Sequence, residues 1–161
     1  MPKVSTEGKT VEEKMAMAAE ISKGYFRVGL NCSECILRTF LDMHDTDLPE
    51  SIIRLASGFG GGMGHTKNTC GAITGAVLAL GIEKGRDPFD REDVSERIKY
   101  LQGSIYPIFG EMVNEMKEEY GTLICSELSN PFGDFECKAR KKNCMQMIAY
   151  CASIAEKYAN K

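Results

Sequence analysis

Apolar residues recur at intervals of three and four along most of the chain, which is the spacing that one face of an α-helix requires. No segment shows the strict alternation of apolar and polar residues that is typical of a half-buried strand. The predicted helices begin near Thr10, Asn31, Pro49, Thr69, Asp90 and Phe135, with a short helical turn at Cys125. We therefore predict an all-α fold over residues 1–161, a single-domain bundle of about six or seven helices.

Two of these helix starts carry a reciprocal capping pattern. Thr10 is followed three residues later by Glu13, and Asn31 is followed in the same way by Glu34. In such a capping box the first side chain accepts a hydrogen bond from the later amide, and the Glu side chain accepts one from the first amide. We expect the first two helices to begin at these residues.

The longest predicted helix starts at Asp90 and places Val94 and Ile98 on a stripe that faces the core. Pro107 lies within this periodic stretch. Because proline has no amide hydrogen to donate, we expect the helix to kink or split there.

A glycine-rich stretch precedes the most apolar part of the chain. Residues 58–64 contain five glycines, and we expect an irregular loop because glycine tolerates positive φ angles. The next helix carries Gly71 and Gly75 four residues apart, on a face that several alanines extend. Since a face without bulky side chains lets another backbone come very near, we expect this to be the most buried helix. The same face offers a surface for a homodimer.

Composition narrows the class of protein. The sequence has 161 residues, 43% of them hydrophobic, which is enough for one buried core. The net charge is −3 and the basic residues are scattered, so we do not expect nucleic-acid binding. The longest apolar run, residues 72–82, is far shorter than the roughly 20 residues that cross a bilayer, and residues 1–10 carry no secretory signal. We expect a cytoplasmic protein without membrane insertion.

Seven cysteines are the main chemical feature of the chain. In a reducing cytosol, cysteines more often bind metals or act in catalysis than form structural disulfides, and an odd number cannot all pair. Cys32 and Cys70 directly follow Asn31 and Thr69, which are good helix-capping residues. Because the amides at a helix start carry partial positive charge, we expect these sulfurs to be held as thiolates.

The sharpest signal is Cys70, which joins the glycine loop to the start of the apolar helix. Backbone amides of such a loop are able to surround an anion or the sulfides of a cluster. The candidate cofactor-binding glycines are Gly60, Gly61, Gly62 and Gly71. His65, five residues before Cys70, is close enough in sequence to reach the same site.

The other cysteines divide into site candidates and core residues. Cys32 and Cys35 form a Cys-x-x-Cys pair that is typical of thiol–disulfide oxidoreductases, but the strand–helix–strand context of those enzymes is missing. Cys35 lies among apolar neighbours, so we assign it to the core. Cys137, Cys144 and Cys151 are spaced by seven on the last helix. They are about 10 Å apart along its axis, so we expect at most one of them to reach a common site.

The order of these motifs resembles one known family. The motifs are Asn31-Cys32, the glycine run, Cys70-Gly71-Ala72-x-x-Gly75, Cys125-x-Glu127-Leu128 and Cys144. They follow the order of the C-GCAxxG-C-C family of redox-active proteins. The resemblance implies a small helical redox protein whose four family cysteines are Cys32, Cys70, Cys125 and Cys144, with Cys35, Cys137 and Cys151 outside the pattern. The domain is also similar to the non-haem part of split-Soret cytochromes, with which an iron–sulfur cluster is associated.

These observations lead to one main hypothesis and two alternatives. In the first, Cys32, Cys70, Cys125 and Cys144 converge on one site, as catalytic residues and metal ligands, and hold an iron–sulfur cluster that transfers electrons; zinc or no metal are the other cofactor options. The second is a metal-free thiol–disulfide oxidoreductase with Cys32 or Cys70 as the attacking sulfur. The third is a helical binding or sensor module with structural cysteines. The expected partner is a redox protein or a small-molecule electron donor or acceptor.

Overall fold

The computed structural model describes residues 3–161, which form α-helices, short 3₁₀-helices and one π-helical segment without any strand. The α-helices are α1 (Val11–Arg27), α2 (Cys32–Met43), α3 (Gly71–Lys84), α4 (Val94–Tyr100), α5 (Tyr106–Tyr120), α6 (Cys125–Ser129) and α7 (Lys138–Ala159). The predicted all-α bundle is confirmed. We expected no secretory signal in residues 1–10. Two of these residues, Met1 and Pro2, lie outside the described part of the chain.

Both predicted capping boxes are present. The Thr10 hydroxyl accepts a hydrogen bond from the Glu13 amide at 3.1 Å, and the Glu13 carboxylate accepts one from the Thr10 amide at 2.9 Å. Asn31 and Glu34 make the same reciprocal pair, with both distances 2.9 Å. These local rules fix where α1 and α2 begin.

α2 lies at the centre of the bundle, in contact with α1, α3, α7 and the 3₁₀-helix Glu50–Phe59. Nine of its 12 residues are buried, compared with seven of the 14 residues of α3. α3 is therefore buried as expected, but α2 rather than α3 is the more buried helix. The reason is that four elements enclose α2.

The small-residue face of α3 is in close contact with the start of α2. A β-carbon added at Gly75 would lie 2.7 Å from the Ser33 α-carbon and 3.0 Å from the Ser33 carbonyl oxygen. Ser33 is fully buried and donates a hydrogen bond to the Ala56 carbonyl at 2.6 Å. The small-residue face of α3 is therefore covered by α2 of the same chain. The homodimer stays a prediction, but this face is not available for it.

The glycine segment is only partly the irregular loop that we expected. Gly58 is still part of the 3₁₀-helix Glu50–Phe59, and residues 60–63 then form a tight turn. The φ angles are +63° at Gly61 and +73° at Gly62, and they stay positive through His65. This left-handed run reverses the chain and leads it into α3.

The predicted long helix after Asp90 is broken into three parts. Asp90 ends a short 3₁₀-helix, α4 begins after its N-cap Asp93, and the π-helical segment Leu101–Ile105 connects α4 to α5. Pro107 lies in the first turn of α5, directly after this π-helical segment. The change of helix type just before the proline, which has no amide hydrogen to donate, agrees with the predicted kink or split.

The expected core-facing stripe on α4 is wrong. Val94 is 64% exposed and Ile98 is 49% exposed. Most contacts of α4 are with the adjoining π-helical segment. The helical period of the sequence shows that one face is apolar, but it does not show that another element covers that face.

His44 is the C-cap of α2, and its ring is held between two carboxylates. One ring nitrogen lies 2.9 Å from Glu83 and the other 2.6 Å from Glu156, while Phe40 stacks on the ring at 4.6 Å. Burial by itself would lower the pKa of His44, but the hydrogen bonds and charges of Glu156 and Glu83 outweigh it and raise the pKa. The imidazolium form thus stabilises this end of the bundle.

In the described part of the chain, no helix combines the length and the apolar character that are needed to cross a membrane.

We expect Gly75→Ala to destabilise the protein by about 1–3 kcal/mol, the usual effect of extra volume in a packed contact. The new β-carbon would meet the backbone of Ser33 rather than a flexible side chain. Urea unfolding measures this change. The control is Gly81→Ala in the same helix, which meets nothing within 4 Å and should stabilise by roughly 0.5–1 kcal/mol. Similar effects of the two substitutions would contradict the close approach of the helices.

The raised pKa of His44 predicts how the stability of the protein changes with pH. Protonation of His44 contributes stability that is complete below the unfolded-state pKa of 6.5 and is lost as the pH rises through the folded-state pKa. The stability difference between the natural protein and His44→Gln should therefore be larger near about pH 6 than near about pH 8. Urea unfolding at both pH values checks this. A difference that does not change with pH would refute it.

Candidate functional site

Four separate segments carry the cysteines that the sequence singled out. Cys32 is the first residue of α2, Cys70 is the N-cap of α3, Cys125 is the first residue of α6, and Cys144 lies in the second turn of α7. α3 thus begins one residue after Cys70, not at Thr69 as predicted. α7 begins at Lys138, not near Phe135.

Electrostatic interactions connect these four cysteines, and they extend to Cys35 and Cys151 as well. Burial raises the pKa of Cys70 to about 12, and electrostatic interactions with Cys32 and Cys125 add to this increase. Burial also raises the pKa of Cys144 to about 11, again with contributions from Cys32 and Cys125. Cys70 therefore lies within electrostatic range of Cys32 and Cys125, and Cys144 does too. We call Cys32, Cys70, Cys125 and Cys144 the thiol ring.

Gly71 sets the distance between the first two members of the thiol ring. A β-carbon at this position would lie 2.7 Å from the Cys32 sulfur and 2.9 Å from the Phe59 carbonyl oxygen. The glycine directly after Cys70 is thus the residue that lets the Cys32 sulfur approach the start of α3.

A short antiparallel pairing sets the position of Cys125 relative to Cys70. The Cys70 amide donates to the Leu123 carbonyl at 2.8 Å, and the Cys125 amide donates to the Asn68 carbonyl at 2.6 Å. The isolated bridge between Thr69 and Ile124 lies between these two bonds. Both cysteines are therefore held by their own backbones and not only by side-chain packing.

The thiol ring has a buried side and an open side. Cys70 is 9% exposed and Cys125 is 5% exposed. Cys32 and Cys144 are half-buried and line a cavity of about 210 Å³. Its other lining residues are Phe26, Asn31, Gly61, His65, Phe135, Glu136, Arg140 and Lys141. Molecules from solvent that enter this cavity would reach Cys32 and Cys144 first.

Arg140 is the site residue that the sequence reasoning missed. Its guanidinium lies 4.0 Å from the Cys125 sulfur, 3.4 Å from the Ser129 hydroxyl and 3.5 Å above the Phe135 ring. Its charge lowers the pKa of Cys144, although burial of that thiol has the larger, opposite effect. The sequence spacing could have indicated Arg140, because a residue four positions before Cys144 lies on the same face of the helix.

The expectation that helix starts hold these sulfurs as thiolates is wrong for Cys70. Hydrogen bonds from the Ala72 and Ile73 amides do lower its pKa, but burial outweighs them and leaves the pKa at about 12. Removal of a thiolate from water is more costly here than the helix-start amides can offset. Without a bound metal, Cys70 is a neutral thiol at physiological pH.

The three cysteines outside the thiol ring have structural positions. Cys35 and Cys151 are fully buried, and burial raises the pKa of Cys35 to about 12. Cys137 is the N-cap of α7, and its sulfur accepts a hydrogen bond from the Arg140 amide at 3.4 Å. All seven cysteines are free thiols.

The candidate cofactor-binding glycines are in positions of close packing. Added β-carbons would lie 2.6 Å from the Asn31 side chain at Gly60, 2.8 Å from the His65 ring at Gly61 and 2.6 Å from the Asn68 amide at Gly62. The amides of residues 64, 65, 67 and 68 donate to carbonyls of the same loop. These four amides are therefore not free to surround an anion, and the cofactor role of Gly60, Gly61, Gly62 and Gly71 stays a prediction.

His65 lies where the sequence suggested, on the cavity that Cys32 and Cys144 line. Its side chain is 62% exposed, lies 3.8 Å from Glu136 and contacts the edge of Phe135. Among residues 3–161, no three His, Cys, Asp or Glu side chains are placed to share a single metal ion.

Comparison with known proteins gives one family and one relative. The profile of the family described as "Putative redox-active protein (C_GCAxxG_C_C)" matches residues 30–158. An "Uncharacterized protein" of Archaeoglobus fulgidus is 22% identical over 125 residues, which cover 77% of this chain and 81% of that protein. No solved structure matches the chain.

The raised pKa of Cys70 predicts slow alkylation of the reduced, metal-free protein. With a pKa of about 12, roughly one molecule in 1,000 carries the thiolate at pH 9, and only the thiolate reacts. We expect the rate of Cys70 labelling by iodoacetamide to rise about tenfold per pH unit from pH 8 to pH 10. Mass spectrometry of the labelled peptides measures it. Labelling of Cys70 at pH 7 as fast as that of free cysteine would contradict this result.

Proposed function

Because this chain belongs to the C_GCAxxG_C_C family of redox-active proteins, we propose that its thiol ring holds an iron–sulfur cluster and serves in electron transfer. The observation that supports the proposal is that cysteines from four separate segments interact electrostatically with one another. Four cysteine thiolates are the common ligand set of such clusters. When bound, the cluster would accept and release single electrons.

The redox character of the family favours a cluster over a single zinc ion. Cysteine thiolates are ligands of both zinc and iron–sulfur clusters. Zinc has no redox chemistry, so only the cluster would transfer electrons in a redox-active protein.

The raised pKa values also favour a metal over a free nucleophile. Burial raises the pKa of Cys70 to about 12 and that of Cys144 to about 11, so these thiols attack disulfides poorly at neutral pH. A metal cation reverses this disadvantage, because coordination removes the proton and places positive charge beside the sulfur. The metal-free thiol–disulfide oxidoreductase with Cys70 as the attacking sulfur is therefore the weaker proposal.

The surrounding residues have definite roles in this proposal. Gly71 leaves room for the Cys32 sulfur, and the packing around Cys70 and Cys125 excludes water from the site. Arg140, at 4.0 Å from the Cys125 sulfur, offsets part of the negative charge of four thiolates. A cytoplasmic location belongs to the same proposal, since a reducing compartment keeps thiols available for metal binding.

The test compares one ring cysteine with one cysteine outside the ring on the same helix. We expect the natural protein, produced with iron and purified without oxygen, to be brown and to contain iron and acid-labile sulfide. Cys144→Ser should lose most of the iron and the visible absorption, because it removes a ligand. Cys137→Ser should keep both, since serine also caps a helix.

Two results would reject the proposal. One is a colourless natural protein without iron under these conditions. The other is equal iron content in the Cys144→Ser and Cys137→Ser proteins, because the thiol ring would then not be the site of the metal.

A further inference from the structure

Phe135 lines the cavity of the thiol ring from a segment that belongs to no helix. It borders the same space of about 210 Å³ as Cys32 and Cys144. It lies between the 3₁₀-helix Asn130–Phe132 and the start of α7. None of residues 130–137 is buried, and Phe135 itself is half-buried. A large apolar side chain in a partly exposed position thus borders the space that a solute crosses to reach these two sulfurs.

The backbone around Phe135 makes hydrogen bonds only within its own part of the chain. The Gly133 amide donates to the Asn130 carbonyl at 3.1 Å, and the Glu136 amide donates to the Asp134 carboxylate at 3.0 Å. Among residues 3–161, no backbone hydrogen bond joins residues 133–136 to anything beyond residues 130–137. We call residues 133–136 the Phe135 segment. Its place at the cavity therefore depends on side-chain contacts.

Three side chains hold the aromatic ring of Phe135. The Arg140 guanidinium lies 3.5 Å and the Lys67 ammonium 4.6 Å from the ring centre, and the His65 ring makes a T-shaped contact with centres 4.7 Å apart. Glu136 adds an ion pair with His65 at 3.8 Å, between side chains that are both more than half exposed. Cation–π contacts and ion pairs at exposed positions are individually weak. In the described part of the chain, Phe135 packs against neither buried apolar cluster, so its displacement would break no core contact.

Two of the three ring contacts come from residues with an unfavourable backbone conformation. The φ angles are +66° at His65 and +63° at Lys67, in the left-handed region that favours glycine. Strained residues of this kind concentrate at ligand clamps and switch regions. Glycine would relieve the strain but remove the side chain, and the contact that both side chains share is the Phe135 ring. This local strain indicates a functional requirement to hold that ring in place.

We propose that Phe135 is a gate that limits which solutes reach the sulfurs of Cys32 and Cys144. With its ring in place, the cavity of about 210 Å³ is smaller than the ~300–1,000 Å³ of sites for drug-sized ligands, so only small solutes enter. Movement of the Phe135 segment breaks the three ring contacts and opens the cavity, as weakly held loops do in other proteins. The use of the gate rests on the function proposed above, because a cluster has to be loaded with iron and then protected from oxidants and chelators.

The experiment compares a small and a bulky thiol reagent on the full chain, reduced and freed of metal. Iodoacetamide is the small reagent and N-(1-pyrenyl)maleimide the bulky one, and mass spectrometry of labelled peptides gives both rates at Cys32. The ratio of the bulky-reagent rate to the small-reagent rate measures access, because a change in the pKa of the thiol acts on both rates. Phe135→Ala should raise this ratio about tenfold, which is the combined effect of two exposed cation–π contacts. Phe135→Leu, which keeps apolar volume but loses the aromatic ring, should raise it too.

The controls separate a gate from a general loosening of the fold. Phe132→Ala removes an aromatic ring from the neighbouring 3₁₀-helix but outside the cavity lining, and it should leave the ratio unchanged. Phe135→Tyr keeps the aromatic ring, so it should also behave like the natural protein. Cys35, which is fully buried, should stay unlabelled in every variant.

Three results would overturn the proposal. The first is the same ratio in the natural protein and in both Phe135→Ala and Phe135→Leu. The second is an equal increase in Phe132→Ala. The third is labelling of Cys35 as fast as that of Cys32 in the Phe135 variants, because unfolding and not a gate would then explain the access. A protein that shows the gate but binds no iron would count against the cluster alone.

Discussion

The rest of the site depends on the contact between the glycine face of α3 and the first turn of α2. The two helices meet so closely that β-carbons at Gly71 and Gly75 would overlap the Cys32 sulfur and the Ser33 backbone. This contact places Cys32 beside the N-cap position of Cys70. It also orders Ser33, whose hydroxyl is bonded to the carbonyl of Ala56 just before the glycine turn. One steric condition thus links the central helix, the glycine turn and the first two sulfurs.

Two opposing electrostatic effects act on the sulfurs that this contact brings together. Helix-start amides favour a thiolate, and removal from water disfavours it. At Cys70 the second effect is larger, as its pKa of about 12 shows. Cys70 therefore needs a nearby positive charge to ionise at physiological pH. Arg140 supplies such a charge to Cys144 from α7, and in the proposed function a bound metal would supply more.

The parts of the fold that follow from local rules could be read from the sequence. The capping boxes at Thr10 and Asn31, the split at Pro107 and the close-packed face of Gly75 each depend on a few neighbouring residues. The exposure of Val94 and Ile98 could not be read, because a helical period does not reveal whether a neighbour covers the apolar face. The grouping of Cys125 with Cys70 depends on backbone pairing between distant segments, and only the family resemblance pointed to it. The pKa of Cys70 was misjudged because burial is a property of the whole fold and not of one helix start.

The thiol ring draws its members from the second helix, the third helix, the short α6 and the last helix. The four sulfurs are spread over residues 32–144, and α7, which carries Cys144, leaves the ribosome after the other three helices. During synthesis, therefore, the emerging chain offers only incomplete sets of sulfurs to any metal it meets. The complete set exists only when α7 has packed against the others, so a metal that needs all four sulfurs would bind only after this packing step.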